Sequence, residues 1–117
     1  MKINILCVRD LLYTLSDSDE NLSFDDMCAE LSAYSPEQVQ NVSRLLADEG
    51  YIEWQSIYAN GELVFAEYYS LTLSGLDLLK SLSDDTKLRQ TLTIIGKGTA
   101  EVGVAFLKGA LVRMLLP

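Results

Sequence analysis

The sequence contains no histidine among its 117 residues and has only two cysteines. The absence of histidine excludes Ser-His-Asp and Cys-His catalysis, together with any zinc site that uses an imidazole ligand. Two cysteines are too few for a four-thiolate zinc site, and Cys7 and Cys28 each lie within an apolar, helix-like pattern. We therefore expect both to be small, buried apolar side chains in a reducing compartment.

Basic residues are scarce and unevenly distributed. Nine Lys and Arg stand against 17 Asp and Glu, which gives a net charge of −8. Residues 1–79 carry three basic and fourteen acidic side chains, whereas residues 80–117 carry six and three. An acidic surface keeps a protein soluble and repels nucleic acid, although a local basic patch can overcome an acidic total.

A long apolar run that could cross a membrane is also missing. The apolar stretch 102–116 is too short to span a bilayer, and it contains Lys108 and Arg113. Near the start, Arg9 and Asp10 interrupt any apolar signal-peptide region. The sequence therefore predicts a soluble, cytoplasmic protein that does not bind membranes.

Helical periodicity and capping residues predict three helices in the first half of the chain. Apolar positions from about 3 to 15 recur at helical spacing. Ser23 is a predicted N-cap for a second helix that runs to about residue 34. Ser35 followed by Pro36 predicts the start of a third helix, which ends at Gly50.

The periodicity then changes to a pattern typical of strands. Residues 51–58 and 62–69 are rich in aromatic and β-branched side chains, and Asn60-Gly61 between them is a strong hairpin signal. The aromatic side chains of this predicted hairpin are expected to alternate between core and surface, and those on its outer face are expected to be interaction anchors. Thr72 is the predicted cap of a following helix to about residue 85, and further helices are predicted at 86–95 and 99–116.

Three helices followed by a two-stranded hairpin predict an α+β, mostly α, winged helix-turn-helix fold. With 49% hydrophobic residues the chain has enough apolar material for one compact core. We predict a winged-helix domain over residues 1–85 and a helical C-terminal extension over residues 86–117.

Several segments carry a resemblance to known proteins. Residues 36–39 (PEQV) followed by 45–53 (LLADEGYIE) resemble the end of the third helix and the start of the wing in bacterial winged-helix proteins, and residues 71–79 (LTLSGLDLL) resemble the entry into their following helix. Together with Asp84-Asp85-Thr86 and the apolar tail, residues 3–115 are similar to a family of small, functionally uncharacterised bacterial and prophage proteins, and more distantly to YjcQ-like proteins. The resemblance implies a phage or mobile-element setting and supplies no catalytic residue.

The charge of the hairpin bears on the choice between DNA and protein as the partner. No basic residue occurs between Arg44 and Lys80, whereas DNA affinity depends on Lys and Arg that neutralise phosphates. We therefore predict a regulator that binds a protein partner through an acidic helix and wing face; the alternative is a DNA-binding transcription regulator that uses Gln40, Asn41 and Arg44 to contact base edges. The predicted partner-binding residues are Glu37, Gln40, Asn41, Arg44, Asp48, Asn60 and Gly61.

The C-terminal segment is predicted to join two copies of the chain. Its apolar residues cover more than one face of a helix, so the helix needs burial on several sides. A homodimer is the preferred interpretation, and packing against the first and fourth helices of the same chain is the alternative. The predicted dimerisation residues are Val104, Leu107, Leu111, Met114 and Leu115.

The remaining motifs do not predict catalysis. Residues 17–21 imitate the opening of a calcium loop, but Leu22 and Cys28 stand where a glycine and an acid are needed. Gly96-Lys97-Gly98 lacks the spacing of a P-loop. We therefore expect no enzyme activity, no cofactor and no metal.

Overall fold

The structure is a computed structural model that describes residues 2–83 and 101–103. These residues form an α+β fold of mixed content, with four helices and a three-stranded antiparallel sheet, and a separate pair of short strands. In chain order the elements are β1 (Lys2–Asn4), α1 (Ile5–Asp17), β2 (Leu22–Ser23), α2 (Phe24–Glu30), α3 (Pro36–Asp48), β3 (Ile52–Ala59), β4 (Glu62–Leu71), α4 (Leu73–Leu82) and β5 (Glu101–Gly103).

Side-chain caps fix the starts of the helices. The Asn4 carboxamide oxygen accepts hydrogen bonds from the Leu6 and Cys7 amides, so α1 begins at Ile5. Ser23 and Asp26 form a capping box at the start of α2, in which each side chain accepts from the other residue's backbone amide. At α3 and α4 the cap is a single bond: the Ser35 hydroxyl accepts from the Gln38 amide and the Thr72 hydroxyl from the Gly75 amide, so both residues are caps, as the sequence predicts.

The three-stranded sheet has the order β2–β4–β3. Its long hairpin turns at Asn60 and Gly61, whose φ angles are 54° and 79°. Positive φ at both central residues is the requirement of the tight hairpin turn that Asn-Gly favours, and this prediction is confirmed. Tyr69 and Val64 are extra residues on β4 at two irregularities of the register, which increase the local twist.

The core lies between the helices and one face of the sheet. Tyr68 from β4 is fully buried, and its ring lies 5.4 Å from that of Trp54, centroid to centroid. Gly75 lets α4 approach the chain after α3, because a Cβ there would overlap the carbonyl oxygen of Tyr51. Buried apolar residues of all four helices form one core cluster with Tyr68: Ile5, Val8, Leu11, Leu12, Met27, Val39, Val42, Leu46, Leu78 and Leu82.

The sheet has three strands where the sequence predicted two. Leu22 and Ser23 form the third strand by pairing with Tyr68 and Glu67. Two residues are too few for any periodicity, and their strand conformation depends on β4, which is distant in the sequence. The second helix also ends at Glu30 rather than at about residue 34, because residues 31–34 form turns that lead into the Ser35 cap.

The predicted C-terminal helix is wrong over residues 101–103. These residues form β5, which pairs antiparallel with β1 in the register Lys2 to Gly103. A strand of this kind depends on a partner about a hundred positions away, and no local pattern reveals it. The predicted helix 86–95, the rest of 99–116 and the five predicted dimerisation residues lie outside the described residues.

No helix in the described part of the chain is long and apolar enough to cross a membrane.

Candidate interaction surface

A contact between an arginine and an aromatic ring joins α3 to the hairpin. The Arg44 guanidinium carbon lies 5.6 Å from the centroid of the Tyr58 ring. Tyr58 is on the same face of β3 as Trp54, because alternate residues of a strand project to the same side. Arg44 is the only basic residue between positions 10 and 79, so the single cation of this region is directed at an aromatic ring.

The predicted partner-binding residues of α3 lie on one face of the helix. Glu37, Arg44 and Asp48 are exposed, and Gln40 and Asn41 are half-buried. The opposite face packs into the core through Val39, Val42, Leu45 and Leu46. The spacing of three and four residues therefore brings the five predicted α3 residues into a single stripe that begins and ends with a carboxylate.

The two predicted hairpin residues lie at the tip of the hairpin. Asn60 and Gly61 are both exposed, and they follow Tyr58 by two and three positions. The Arg44–Tyr58 contact connects the α3 stripe to the strand that leads to this tip. Tyr58 was not among the predicted partner-binding residues; the strand alternation could have placed it on the helix side of the hairpin, but nothing in the sequence pairs it with Arg44.

The hairpin has a second face that points away from α3. Glu53, Gln55 and Ile57 of β3 project to this face, opposite Ser70, Glu67 and Phe65 of β4. The Tyr69 hydroxyl donates a hydrogen bond to the Gln55 side-chain oxygen at 2.8 Å, which places Tyr69 on the same side. Tyr68 is buried and Trp54 half-buried on the core side, and Phe65 and Tyr69 are exposed on the outer side, as the predicted alternation requires. Tyr58 departs from it, because it is exposed although it shares a face with Trp54.

Both thiols are held in the protonated form. Cys7 is fully buried, and burial, with a smaller contribution from the Asp10 carboxylate, raises its pKa to about 12. Cys28 is half-buried, and burial followed by the nearby Asp25 raises its pKa as well. A thiol with a raised pKa is a poor nucleophile at neutral pH, so these residues contribute packing.

The carboxylate of Asp10 is engaged by its neighbours. It accepts a hydrogen bond from the Tyr34 hydroxyl at 2.7 Å and forms an ion pair with Arg9 at 3.2 Å. Burial and the bond to Asp10 raise the pKa of Tyr34. A shallow pocket of about 260 Å³ lies beside these groups, between α1 and the segment that leads into α3. The carboxylate therefore helps to hold α1 against that segment.

Neither a metal-binding cluster in the described residues nor a similar known protein points to a function for this surface. Within residues 2–83 and 101–103, no group of three or more acidic or cysteine side chains is arranged to hold a metal ion. Comparisons with protein families, with curated proteins and with solved structures found no match.

Proposed function

We propose that this chain is a winged-helix regulatory protein that binds a protein partner through the α3 stripe and the hairpin tip. The order helix, strand, helix, helix, strand, strand from α1 to β4 supports the winged-helix interpretation. The pairing of the short β2 with β4 supports it further, because β4 of the hairpin becomes the central strand of a small sheet that is packed on the helices. The proposed setting, a phage or another mobile element, rests on the sequence resemblance.

The observation that carries the proposal is the position of Arg44. A winged helix that binds duplex DNA inserts its third helix into the major groove and places its wing on the phosphate backbone. Here the one cation of α3 is directed at Tyr58, and the hairpin contains acidic side chains and no basic ones. Such a surface repels phosphate and attracts a basic protein surface.

The proposal is tested by capturing the partner with the full chain and with charge-reversed variants. A partner identified by mass spectrometry should be retained by the wild type and lost with Glu37→Lys combined with Asp48→Lys. Asp77→Lys, at an exposed carboxylate on α4, is the matched control and should retain the partner. Retention by all three proteins would contradict the assignment of the α3 stripe.

A second candidate function is that of a DNA-binding transcription regulator, because Gln40, Asn41 and Arg44 lie side by side on α3. Asn, Gln and Arg side chains are the usual readers of base edges. Fluorescence anisotropy with duplex DNA at low salt separates the two functions. We expect no binding to the duplex. An affinity for duplex DNA that falls steeply with salt and is lost in Arg44→Ala would favour the DNA-binding transcription regulator.

We also propose that the apolar C-terminal segment joins two copies of the chain. The support comes from the sequence, in which residues 104–116 are apolar on more than one helical face. Light scattering should give the mass of a dimer for the wild type and of a monomer for Leu111→Glu. A monomeric wild type, or an unchanged mass in the variant, would contradict this proposal.

A further inference from the structure

The hairpin face that points away from α3 has an apolar centre. This outer face consists of Glu53, Gln55, Ile57, Glu62, Phe65, Glu67, Tyr69 and Ser70. Ile57 and Phe65 lie directly opposite each other across the two strands, and they are 49% and 44% exposed. A cross-strand pair of large apolar side chains is normally covered, and here nothing in the described residues covers it.

A shallow pocket adjoins this apolar centre. It has a volume of about 290 Å³ and lies between the first residues of α2 and strand β4. Phe24, Leu63, Val64 and Phe65 supply its apolar lining, and Asp25 adds a carboxylate. The pocket is large enough for one aliphatic or aromatic side chain, so the edge of β4 offers an anchor position beside the apolar pair.

The same strand has an open edge next to the pocket. The pairing of β2 with β4 covers only Tyr68 and Glu67 on that side. Among the described residues, the segment of β4 from Glu62 to Ala66 pairs with β3 and has no strand partner on its other side. An extended peptide can add to such an edge through backbone hydrogen bonds while its alternate side chains lie on the outer face.

The charges around the apolar centre determine what kind of segment fits. Glu53 and Glu62 lie towards opposite ends of the outer face, and Glu67 lies between them with its carboxylate accepting a hydrogen bond from Asn21. No basic residue occurs from position 45 to position 79. A second copy docked by this face would bring carboxylates against carboxylates, and a nucleic acid would bring phosphates against them. The occupant must supply the cations itself.

We propose that the outer face binds an extended, basic and apolar segment of another protein, added to the open edge of β4. Apolar side chains of the segment cover Ile57 and Phe65, one of them enters the pocket beside Phe24, and its Lys or Arg residues pair with Glu53 and Glu62. This surface is distinct from the α3 stripe, because it lies on the opposite side of the hairpin.

The proposal is tested with a labelled synthetic peptide and the full chain by fluorescence anisotropy. The probe has the sequence Lys-Arg-Phe-Thr-Ile-Ser-Phe-Arg-Lys, and a matched peptide carries Glu at its four basic positions. The basic peptide should bind with a Kd of about 100 μM or below at low salt, and the acidic peptide should not bind. Binding should weaken as salt is added, because the carboxylates are exposed to solvent.

Variants on and off the outer face locate the binding. Phe65→Thr and Ile57→Thr keep a strand-favouring residue and should each weaken binding about tenfold, which corresponds to the loss of one well-buried anchor. The double variant Glu53→Gln and Glu62→Gln is a second test, which removes two carboxylates and leaves the apolar centre intact. It should weaken peptide binding severalfold. Leu73→Thr, at an 84% exposed leucine on α4, is the matched control and should bind like the wild type.

Three results would overturn the proposal. These are failure of the basic peptide to bind the wild type at about 1 mM, equal binding of the acidic peptide, and unchanged binding by folded Phe65 and Glu53 variants. The Glu37→Lys and Asp48→Lys variant of the α3 stripe should still bind the peptide, so failure of the function proposed above and failure of this inference are distinguishable.

Discussion

The hydroxyl oxygens of Ser43 and Tyr68 lie 2.6 Å apart in the centre of the core, where both residues are 0% exposed. Ser43 also donates a hydrogen bond to the Val39 carbonyl oxygen at 2.7 Å. A serine hydroxyl has a single proton, so the Tyr68 phenol is the donor in the bond between the two side chains. A chain of two hydrogen bonds therefore runs from β4 into the backbone of α3.

Removal of either hydroxyl should destabilise the fold. Ser43→Ala leaves the Tyr68 hydroxyl buried without an acceptor, which costs about 1–3 kcal/mol of unfolding free energy. Tyr68→Phe should cost less, about 1 kcal/mol, because Ser43 keeps its bond to the Val39 carbonyl oxygen. The double variant should lose less than the sum, because it no longer contains the unpaired Tyr68 hydroxyl of Ser43→Ala. Urea denaturation of the four proteins measures this coupling. Ser74→Ala, at an exposed serine on α4, is the control, and strictly additive losses would contradict the network.

A methyl group added at Gly75 should disrupt the docking of α4. Gly75→Ala places its Cβ against the Tyr51 carbonyl oxygen, which also accepts a hydrogen bond from the Thr72 amide at 3.1 Å. Since the obstructing atom belongs to the backbone, α4 must move, and we expect a loss of about 2–3 kcal/mol despite the better helix propensity of alanine. Thermal unfolding measures it; a variant as stable as the wild type would contradict the close approach.

Local signals in the sequence predicted most of the helices and the hairpin. Ser23, Ser35 and Thr72 act within four residues of their own position, so a cap can be recognised without knowledge of the tertiary fold. Asn60-Gly61 is local in the same sense, because the turn needs positive φ at adjacent residues.

The remaining features depend on contacts between distant residues. Leu22 becomes a strand residue only because β4 lies beside it, 46 positions away at Tyr68. The outer face of the hairpin likewise depends on strand pairing that local sequence does not reveal. The opposition of Ile57 and Phe65 depends on the register, which extra residues on β4 shift. The alternation of β3 and β4 predicted exposed aromatic side chains, but it did not reveal which apolar side chains meet.

The turn at the hairpin tip should tolerate change at one position and resist it at the other. Gly61 has a φ angle of 79° with open space around it, so Gly61→Ala suffers backbone strain and no steric overlap. We expect a loss of about 1 kcal/mol. Asn60→Gly keeps access to positive φ and should change stability by less than about 0.5 kcal/mol. Urea denaturation tests this, and equal losses in the two variants would contradict the turn geometry.

The fold should lose stability as the pH rises above about 9, because buried Cys7 resists ionisation. Its pKa is about 12 in the folded chain against an ordinary value of 9.0, so between these values the unfolded chain releases a proton that the folded chain keeps. Unfolding then becomes more favourable by about 1.4 kcal/mol for each pH unit in this window. Below pH 9 the Cys7 thiol is protonated in both states, so it causes no loss of stability there. Burial also raises the pKa of Tyr68, which adds to the slope above pH 10.

Urea denaturation in steps from pH 8 upwards measures this slope. Cys7→Val keeps an apolar side chain of similar size and should flatten the slope between pH 9 and the onset of tyrosine ionisation. Cys28→Val is the matched variant at a half-buried thiol and should flatten it less. If both variants reproduce the wild-type slope, ionisation of the buried thiol is not what limits alkaline stability.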